Sequence, residues 1–336
     1  MPFPPGPDER RPRLTPAIAD VRRAVRACLA DLGSTEGPVL VALSGGPDSL
    51  ALAAATAFEA PRAGIRAGAV IIDHGLQSAS AEVAQRAAEQ ARQLGLDPVI
   101  VRAVDVVAGA DGPEAAARSA RYAGLESAAR QTDAAAVLLG HTLDDQAETV
   151  LLGLARGSGG GSLQGMAAVA GLYRRPLLGI RRAQSRQFCA DSGLSFWDDP
   201  HNEDAGYARV RVRRNVLPIL ESELGPGVAE ALARTAETLR EDAQAFEGMI
   251  EEIIEEICEP AEAGIAVSVA ALAANPAALR HRIIRHVVLS EFGVSLSRAQ
   301  TLAVAALVTD WHGQKPLDLP GIRVLRQNGR IEFSAL

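Results

Sequence analysis

Lysine is almost absent from this chain of 336 residues, in which Lys315 is the single lysine among 34 basic residues. A P-loop of the GxxxxGK[ST] type needs a lysine that reaches the outer phosphates of a nucleotide. Since Lys315 lies in no such motif, the sequence excludes the common P-loop. A nucleotide bound here would need another source of positive charge.

Cysteine is also scarce, and Cys28, Cys189 and Cys258 are far apart and form no CxxC pair. This usage disfavours a structural zinc site or an iron-sulfur cluster and suits a reducing compartment. We therefore expect a cytoplasmic protein in which each cysteine acts as a small buried residue.

Long apolar runs are missing as well. No window approaches the roughly 18 apolar residues of a membrane span, and the proline-rich start of the chain has no apolar core of signal-peptide length. We expect residues 1–14 to be a disordered tail, and we expect no membrane partner.

The formal charge of −7 argues against a polyanionic partner, but its distribution along the chain does not. Residues 218–262 contain thirteen acidic residues and two arginines, whereas residues 174–214 contain nine arginines and five acidic residues. A local basic surface is therefore compatible with the acidic total.

Short apolar runs at 39–43, 68–72, 98–101 and 135–139 are typical of strands buried on both faces of a parallel sheet. Helical patterns lie between and after them, at 78–95, 112–131 and 142–157. This alternation predicts a doubly wound α/β domain over residues 15–205, whose ligands bind beyond the carboxyl ends of the strands.

Residues 206–336 are predicted to form a mainly helical C-terminal domain, with helical patterns at 208–222, 226–259, 268–291 and 297–309. Asn328-Gly329 lies between alternating apolar runs and predicts a terminal β-hairpin. The second pattern carries an apolar stripe from Phe246 to Ile257 opposite acidic residues. It indicates either a packed amphipathic helix or the seam of a homodimer.

The stretch "VLVALSGGPDSLALAAATA", residues 39–57, joins an apolar strand to a helix through a loop rich in glycine and serine. Backbone N–H groups at such a helix start stabilise an anion. Asp48 and Ser49 could be simple helix caps. In the functional alternative the loop holds the β- and γ-phosphates of ATP as pyrophosphate, and Asp48 recruits Mg²⁺. The candidate ATP-binding residues are Ser44, Gly45, Gly46, Pro47, Asp48 and Ser49.

In "GHTLDDQAET", residues 140–149, a helix that begins after Thr142 would bring Asp144, Asp145 and Glu148 to one face. Like charges at this spacing repel one another unless a metal or a basic substrate group lies between them. The alternative is a solvated first turn that the helix dipole favours.

These motifs resemble the PP-loop ATP pyrophosphatases, and more closely the tRNA(Ile)-lysidine synthetase family. The further segments that carry the resemblance are "IIDHGL" (71–76), "EAAARSARY" (114–122), "ARGSGGGSLQGM" (155–166), "RRPLL" (174–178) and "FWDDPHNEDAGYARVRVRRNVLP" (196–218). The resemblance departs at residues 160–162 and at Val210.

The resemblance implies a two-step reaction at the wobble cytidine, position 34, of tRNA(Ile) with a CAU anticodon. The C2 oxygen attacks the α-phosphorus of ATP and pyrophosphate leaves, after which the ε-amine of free L-lysine displaces AMP. Lysine is a cation, and its amine must be neutral to attack. Asp145 and Glu148 are therefore the candidates for binding and deprotonating it, with Asp144 nearby.

The remaining candidates follow from the same resemblance. Arg121 would balance phosphate charge, and Asp73 and His74 would lie near the nucleotide. Arginines could neutralise tRNA phosphates, while Trp197 and Tyr207 either stack on bases or pack in the core. The candidate tRNA-binding residues are Arg174, Arg175, Arg181, Arg182, Arg209, Arg211, Arg213 and Arg214.

Three other functions share some of these features. A PP-loop tRNA thiolase would share the adenylation step, but such enzymes commonly use cysteine pairs. A PP-loop amidotransferase or NAD synthetase would not need the basic segment 174–214. An inactive RNA-binding protein would not need to retain Asp48, Asp145 and Glu148.

Overall fold

The computed structural model describes residues 14–75, 80–106, 113–157, 159–199, 203–261 and 264–336. The predicted tail therefore lies, apart from Leu14, outside the described residues. The chain divides into two compact units, Met1–Leu239 and Arg240–Leu336. The predicted domain boundary after residue 205 stays a prediction.

A six-stranded sheet forms the centre of the first unit. Its strands are β1 (Val39–Ala42), β2 (Ala67–Asp73), β3 (Val99–Ala103), β4 (Ala136–Leu138), β5 (Val169–Ala170) and β6 (Tyr173–Arg174). They lie in the order β3-β2-β1-β4-β6-β5, and β5 runs antiparallel to β6 while the other neighbours pair in parallel. The predicted parallel sheet is confirmed.

The first unit contains the helices α1 (Pro16–Leu32), α2 (Pro47–Glu59), α3 (Ser80–Gln93), α4 (Pro113–Gln131), α5 (Leu143–Arg156), α6 (Gly160–Leu163), α7 (Arg182–Asp191), α8 (Ala208–Arg211) and α9 (Leu217–Glu223). Some of them pack on each face of the sheet. Val39 and Val41 of β1 belong to a buried cluster with residues of α1, α2, α3 and α7. Leu40 belongs to another cluster, with Leu125 of α4. Strand alternation thus buries β1 on both sides.

The helices that follow β1 and β4 begin where their sequences predict. Pro47 occupies the first position of α2, where its missing N–H costs nothing. Thr142 caps α5 by accepting a hydrogen bond from the Asp145 amide, and α5 ends at Gly157 with φ of 62°. Pro47 and the Thr142 cap thus mark the two helix starts at the carboxyl edge of the sheet.

The second unit combines helices with an antiparallel sheet. It contains the end of α10 (Val228–Ile257), followed by α11 (Val269–Ala274), α12 (Ala277–Phe292) and α13 (Arg298–Thr309). Its strands are β7 (Cys258–Ala261), β8 (Gly264–Ser268), β9 (Leu317–Leu319), β10 (Ile322–Gln327) and β11 (Arg330–Ala335), in the order β7-β8-β11-β10-β9. The predicted hairpin at Asn328-Gly329 is confirmed as part of this larger sheet.

The pattern over 268–291 predicts one helix, but the structure has two, because Asn275 and Pro276 separate α11 from α12. Proline has no N–H with which to continue the first helix. The apolar stripe of α10 packs into the core of the second unit through Phe246, Ile250 and Ile257 among others. This packing agrees with the amphipathic-helix interpretation, and a homodimer stays a prediction.

Within the described ranges, none of the helices is both long enough and apolar enough to cross a membrane.

Candidate active site

The loop from Ser44 to Ser49 joins β1 to α2 and is closed by its own hydrogen bonds. The Ser44 amide donates to Ser49 Oγ at 3.1 Å, and Ser49 Oγ donates to the Gly46 carbonyl at 3.0 Å. Gly45 has φ of 85°, in the region that favours glycine. No side chain caps α2. The first-turn N–H groups of α2 are therefore suited to bind an anion.

The end of β4 lies against the start of α2. A Cβ atom on Gly140 would stand 3.1 Å from the Ser49 amide nitrogen and 3.2 Å from the Asp48 carbonyl oxygen. Only glycine permits this approach without a shift of the backbone. The loop at 44–49 and the carboxylates that follow β4 are thereby brought together, as the parallel topology predicts.

Asp48 carries a buried carboxylate oxygen, Oδ1, for which the described residues provide no hydrogen bond of ordinary geometry. Its Oδ2 atom lies 3.7 Å from Arg182 Nε. Burial raises the pKa of Asp48 to about 6, although Arg182 and the nearby Ser185 hydroxyl oppose this rise. A bound cation would complete the coordination of Oδ1.

The chemistry of this site fits Mg²⁺. In the part of the chain that the structure describes, no three His, Cys, Asp or Glu residues are grouped to hold a metal ion. Mg²⁺ is usually held by one or two carboxylates together with substrate phosphates and water. Asp48 beside an anion-binding loop provides the protein part of such a site.

Asp145 has both a structural and a site-facing oxygen. Its Oδ2 atom accepts hydrogen bonds from the Thr142 amide and from Thr142 Oγ1, both at 2.8 Å. Its Oδ1 atom lies 2.8 Å from Arg182 Nη2. Burial raises the pKa of Asp145, but Arg182 and Thr142 together outweigh burial and the net pKa is lowered. Asp145 is thus an ionised capping residue that also faces the site.

Glu148 is fully buried, with a side-chain exposure of 0%. Arg213 donates two hydrogen bonds to it, from Nε to Oε1 at 2.8 Å and from Nη2 to Oε2 at 3.1 Å. Arg182 Nη2 lies 3.2 Å from Oε1, and Arg209 Nε lies 3.5 Å from Oε2. A buried carboxylate needs such partners, because an unpaired charge in the interior is costly.

The arginines predicted to bind tRNA therefore divide into two groups. Arg182, Arg209 and Arg213 contact the buried carboxylates, which charge counting along the sequence did not predict. The five others lie elsewhere in the first unit. Arg174, Arg175 and Arg211 donate to backbone carbonyls. Arg181 lies 3.6–3.7 Å from three carboxylates, those of Asp144, Glu221 and Glu230. Arg214 pairs with Glu203 at 2.8 Å.

Arg121 on α4 and two histidines that follow strands, His74 and His141, are half-buried polar residues of the same unit. Burial lowers the pKa of Arg121, and burial together with Arg121 lowers the pKa of His74. Burial lowers the pKa of His141 to about 4, and the Nδ1 atoms of both histidines have no partner among the described residues. Both imidazoles are therefore neutral at physiological pH. Asp73 lies beside His74 and accepts a hydrogen bond from the Gly75 amide at 3.0 Å.

His141 was not among the candidate site residues. It lies three residues after the end of β4, in the motif at 140–149 next to the carboxylates, and this position was the available signal. Trp197 is followed by a polar segment that contains Asp198, Asp199 and Asn202. Asp198 pairs with Arg186, and Asn202 lies outside the described residues. Trp197 donates its amide to the Gly45 carbonyl at 2.9 Å, which ties this segment to the loop.

Comparison with known proteins gives a consistent result. A family model of the PP-loop domain matches residues 18–220, and one of the TilS substrate binding domain matches residues 268–332. The chain is 67% identical over 296 residues to a tRNA(Ile)-lysidine synthase of Leifsonia xyli subsp. xyli (strain CTCB07), covering 88% of this chain and 89% of that protein. It is 51% identical over 326 residues to one of Thermobifida fusca (strain YX), covering 95% and 98%.

A solved structure shares the fold. The U34-tRNA thiolase NcsA from Methanococcus maripaludis, with its 4Fe-4S cluster, matches with a TM-score of 0.57 at 20% identity. The match covers 67% of this chain and 80% of the thiolase. At this identity the likeness concerns the fold alone.

Proposed function

Because the chain belongs to the tRNA(Ile)-lysidine synthase family, we propose that it joins free L-lysine to C2 of the wobble cytidine of CAU-anticodon tRNA(Ile). The products are lysidine, AMP and pyrophosphate. The observation that carries the proposal is the 67% identity over 88% of the chain. The anion-binding loop beside buried carboxylates supports it, since the reaction needs both.

In the first step the C2 oxygen of cytidine attacks the α-phosphorus of ATP. The loop from Ser44 to Ser49 and the first turn of α2 hold the departing pyrophosphate, and Arg121 balances phosphate charge. Asp73 and His74 line the nucleotide site. Asp48 would hold Mg²⁺, which supplies positive charge to the leaving group.

In the second step the amine of lysine replaces AMP at C2. Asp145 and Glu148 are proposed to bind the lysine cation and to take up its proton, with Asp144 beside them. The lowered pKa of Asp145 supports an anionic partner for an ammonium group.

Of the eight candidate arginines, tRNA binding is proposed for the five that do not contact Asp145 or Glu148, and it is also proposed for the C-terminal domain, residues 206–336. The match of the TilS substrate binding domain to residues 268–332 supports the second part. A cytoplasmic location, where tRNA and ATP meet, belongs to the same proposal.

The thiolase alternative is not favoured. Cys28, Cys189 and Cys258 are free, and burial raises their pKa values to about 11, 12 and 11. Buried thiols of this kind are poor nucleophiles and poor cluster ligands.

The test is to incubate the protein with a tRNA(Ile) transcript, ATP, Mg²⁺ and lysine, and to analyse the nucleosides by mass spectrometry. We expect lysidine in place of cytidine, with AMP and pyrophosphate in equal amounts. ADP as the product, or a sulfur-containing nucleoside, would contradict the proposal.

Glu148→Gln is expected to raise the lysine concentration needed for half-maximal rate about tenfold or more, and the corresponding ATP concentration less. The substitution removes one charge opposite the ammonium group and keeps the size of the side chain. Steady-state kinetics with each substrate varied in turn would measure both. The matched control is Glu59→Gln, since Glu59 is 2% exposed and also paired with an arginine, Arg26, but lies at the far end of α2. Equal changes in both concentrations would assign Glu148 to the nucleotide site instead.

A further inference from the structure

The guanidinium group of Arg182 lies among the carboxylates proposed for Mg²⁺ and lysine. Its Nη2 atom is 2.8 Å from Asp145 Oδ1 and 3.2 Å from Glu148 Oε1, and its Nε atom is 3.7 Å from Asp48 Oδ2. The side chain is 19% exposed, and its backbone amide donates to Asp144 Oδ2 at 2.7 Å. The guanidinium group thus lies within 3.7 Å of the carboxylates of Asp48, Asp145 and Glu148, while the backbone of the same residue holds Asp144.

In this arrangement every oxygen of the two carboxylates proposed for lysine already accepts a hydrogen bond from Thr142, Arg182 or Arg213, with which an ammonium group would have to compete. Asp145 uses Oδ2 in the cap of α5 and Oδ1 on Arg182. Glu148 is buried, with Oε1 shared by Arg182 and Arg213 and Oε2 held by Arg213. An ammonium group that left water for this site would find its partners occupied, and its desolvation would not be offset.

The charges lead to the same conclusion. The three carboxylates near the Arg182 guanidinium, those of Asp48, Asp145 and Glu148, face three arginines, Arg182, Arg209 and Arg213. Asp144 lies near a fourth arginine, Arg181, so each of these negative groups has a positive partner. Lysine alone would add an uncompensated positive charge. Nucleotide phosphates would restore the balance, and they would bind at the start of α2, where Asp48 already contacts Arg182.

We propose that Arg182 occupies the place of the lysine cation until nucleotide phosphates draw it away, so that lysine binds tightly only after ATP. This inference rests on the proposed function and adds an order of binding to it. Arginine is suited to this exchange, because its planar fork matches carboxylate and phosphate oxygens equally well. Arg182 is then a positioning residue that couples the two substrate sites.

The experiment measures binding of radiolabelled L-lysine to the full chain by equilibrium dialysis, with and without Mg²⁺ and a non-hydrolysable ATP analogue. Lysine affinity is expected to rise about tenfold or more with the analogue, and analogue affinity to rise by the same factor with lysine, since coupling is reciprocal. Arg182→Gln should bind lysine without nucleotide about as tightly as the wild type does with it. The matched control is Arg186→Gln on the same helix, which lies at an exposed pair with Asp198 and should keep the full coupling.

Equal lysine affinity of the wild type with and without the analogue overturns the inference and needs no variant. Undiminished coupling in an Arg182→Gln protein that melts cooperatively also overturns it. If lysine is transferred to tRNA but no coupling is found, the proposed function stands and only this inference fails. If lysine is neither bound nor transferred under any condition, the proposed function is wrong and the inference falls with it.

Discussion

Replacing Asp48 by asparagine should lower pyrophosphate release by about a hundredfold or more, and it should also raise thermal stability at neutral pH. The activity is lost because the site lacks the charge that would hold Mg²⁺ against the leaving group, and removing one electrostatic stabiliser of a transition state typically costs 10²–10³ in rate. The stability is gained because burial raises the pKa of Asp48 to about 6 from an ordinary value of 3.8.

The direction of the stability effect follows from linkage. The folded state binds a proton at Asp48 more tightly than the unfolded chain does, so stability falls as the pH rises from about 3.8 to about 6, and the full cost is present above pH 6. The full shift corresponds to about 3 kcal/mol, and we expect about 1–2 kcal/mol because the side chain keeps some contact with water. The gain should shrink as the pH falls towards 4, where the wild-type carboxyl is itself protonated.

Thermal melting in EDTA at pH 4.5, 6 and 7.5 would measure this gain, alongside pyrophosphate release at pH 7.5 with Mg²⁺. Asp198→Asn is the matched control, since that carboxylate is exposed and should alter neither quantity much. A folded Asp48→Asn protein with normal turnover would exclude the Mg²⁺ role. A variant less stable at pH 7.5 would show that pairing with Arg182 outweighs the cost of burial.

The parallel sheet could be predicted because its strands are buried on both faces. Val39, Leu40 and Val41 alternate between two clusters, and both are apolar, so β1 reads as a continuous apolar run. The position of the site followed from the same topology, since adjacent parallel strands end at one edge. In the structure β1 lies between β2 and β4, so the loop at 44–49, which follows β1, lies beside the motif at 140–149, which follows β4.

The strands β7 and β8 could not be predicted in the same way. Cys258–Ala261 follows α10 directly with no turn signal, and Pro260 disfavours a strand except at an edge. β7 is such an edge strand, because it lies at one end of the order β7-β8-β11-β10-β9. Its pairing depends on β8 and β11, which lie later in the chain.

The partner of each carboxylate was also beyond sequence reasoning. Glu148 and Arg213 are 65 residues apart, and Arg182 is 34 residues from Glu148. Counting charge in segment 174–214 could not separate arginines that face carboxylates from those that face solvent. The structure separates the last four of these arginines by their contacts, since Arg209 and Arg213 both contact Glu148, whereas Arg211 and Arg214 are exposed.

Replacing Arg211 and Arg214 by alanine should weaken tRNA binding and flatten its salt dependence, with little effect on stability. Both side chains are exposed. Arg211 donates to the Ala205 and Gly206 carbonyls, and Arg214 pairs with exposed Glu203, a contact of small energetic value. If each arginine neutralises one phosphate, the slope of log K against log salt should fall by about 1.4–1.8 for the pair.

Replacing Arg209 and Arg213 by alanine also removes two positive charges, but from the side of the segment that contacts Glu148. The expected result is different. Buried Glu148 would keep only Arg182, and breaking a buried pair by removing one partner typically costs about 3–5 kcal/mol. We expect a loss of about 3 kcal/mol in the free energy of unfolding, together with a raised lysine requirement. The salt slope of tRNA binding should change less than in the Arg211 and Arg214 variant.

The two double variants therefore serve as controls for each other, since charge and chain segment are matched and only the helix face differs. Thermal melts would be compared first, and tRNA affinity would then be measured by filter binding between about 50 and 200 mM salt, at a temperature where both variants are folded. Loss of affinity and slope in the exposed pair alone would assign tRNA contact to that face. A folded Arg211 and Arg214 variant with unchanged affinity and slope would instead exclude these two arginines as a source of phosphate contacts.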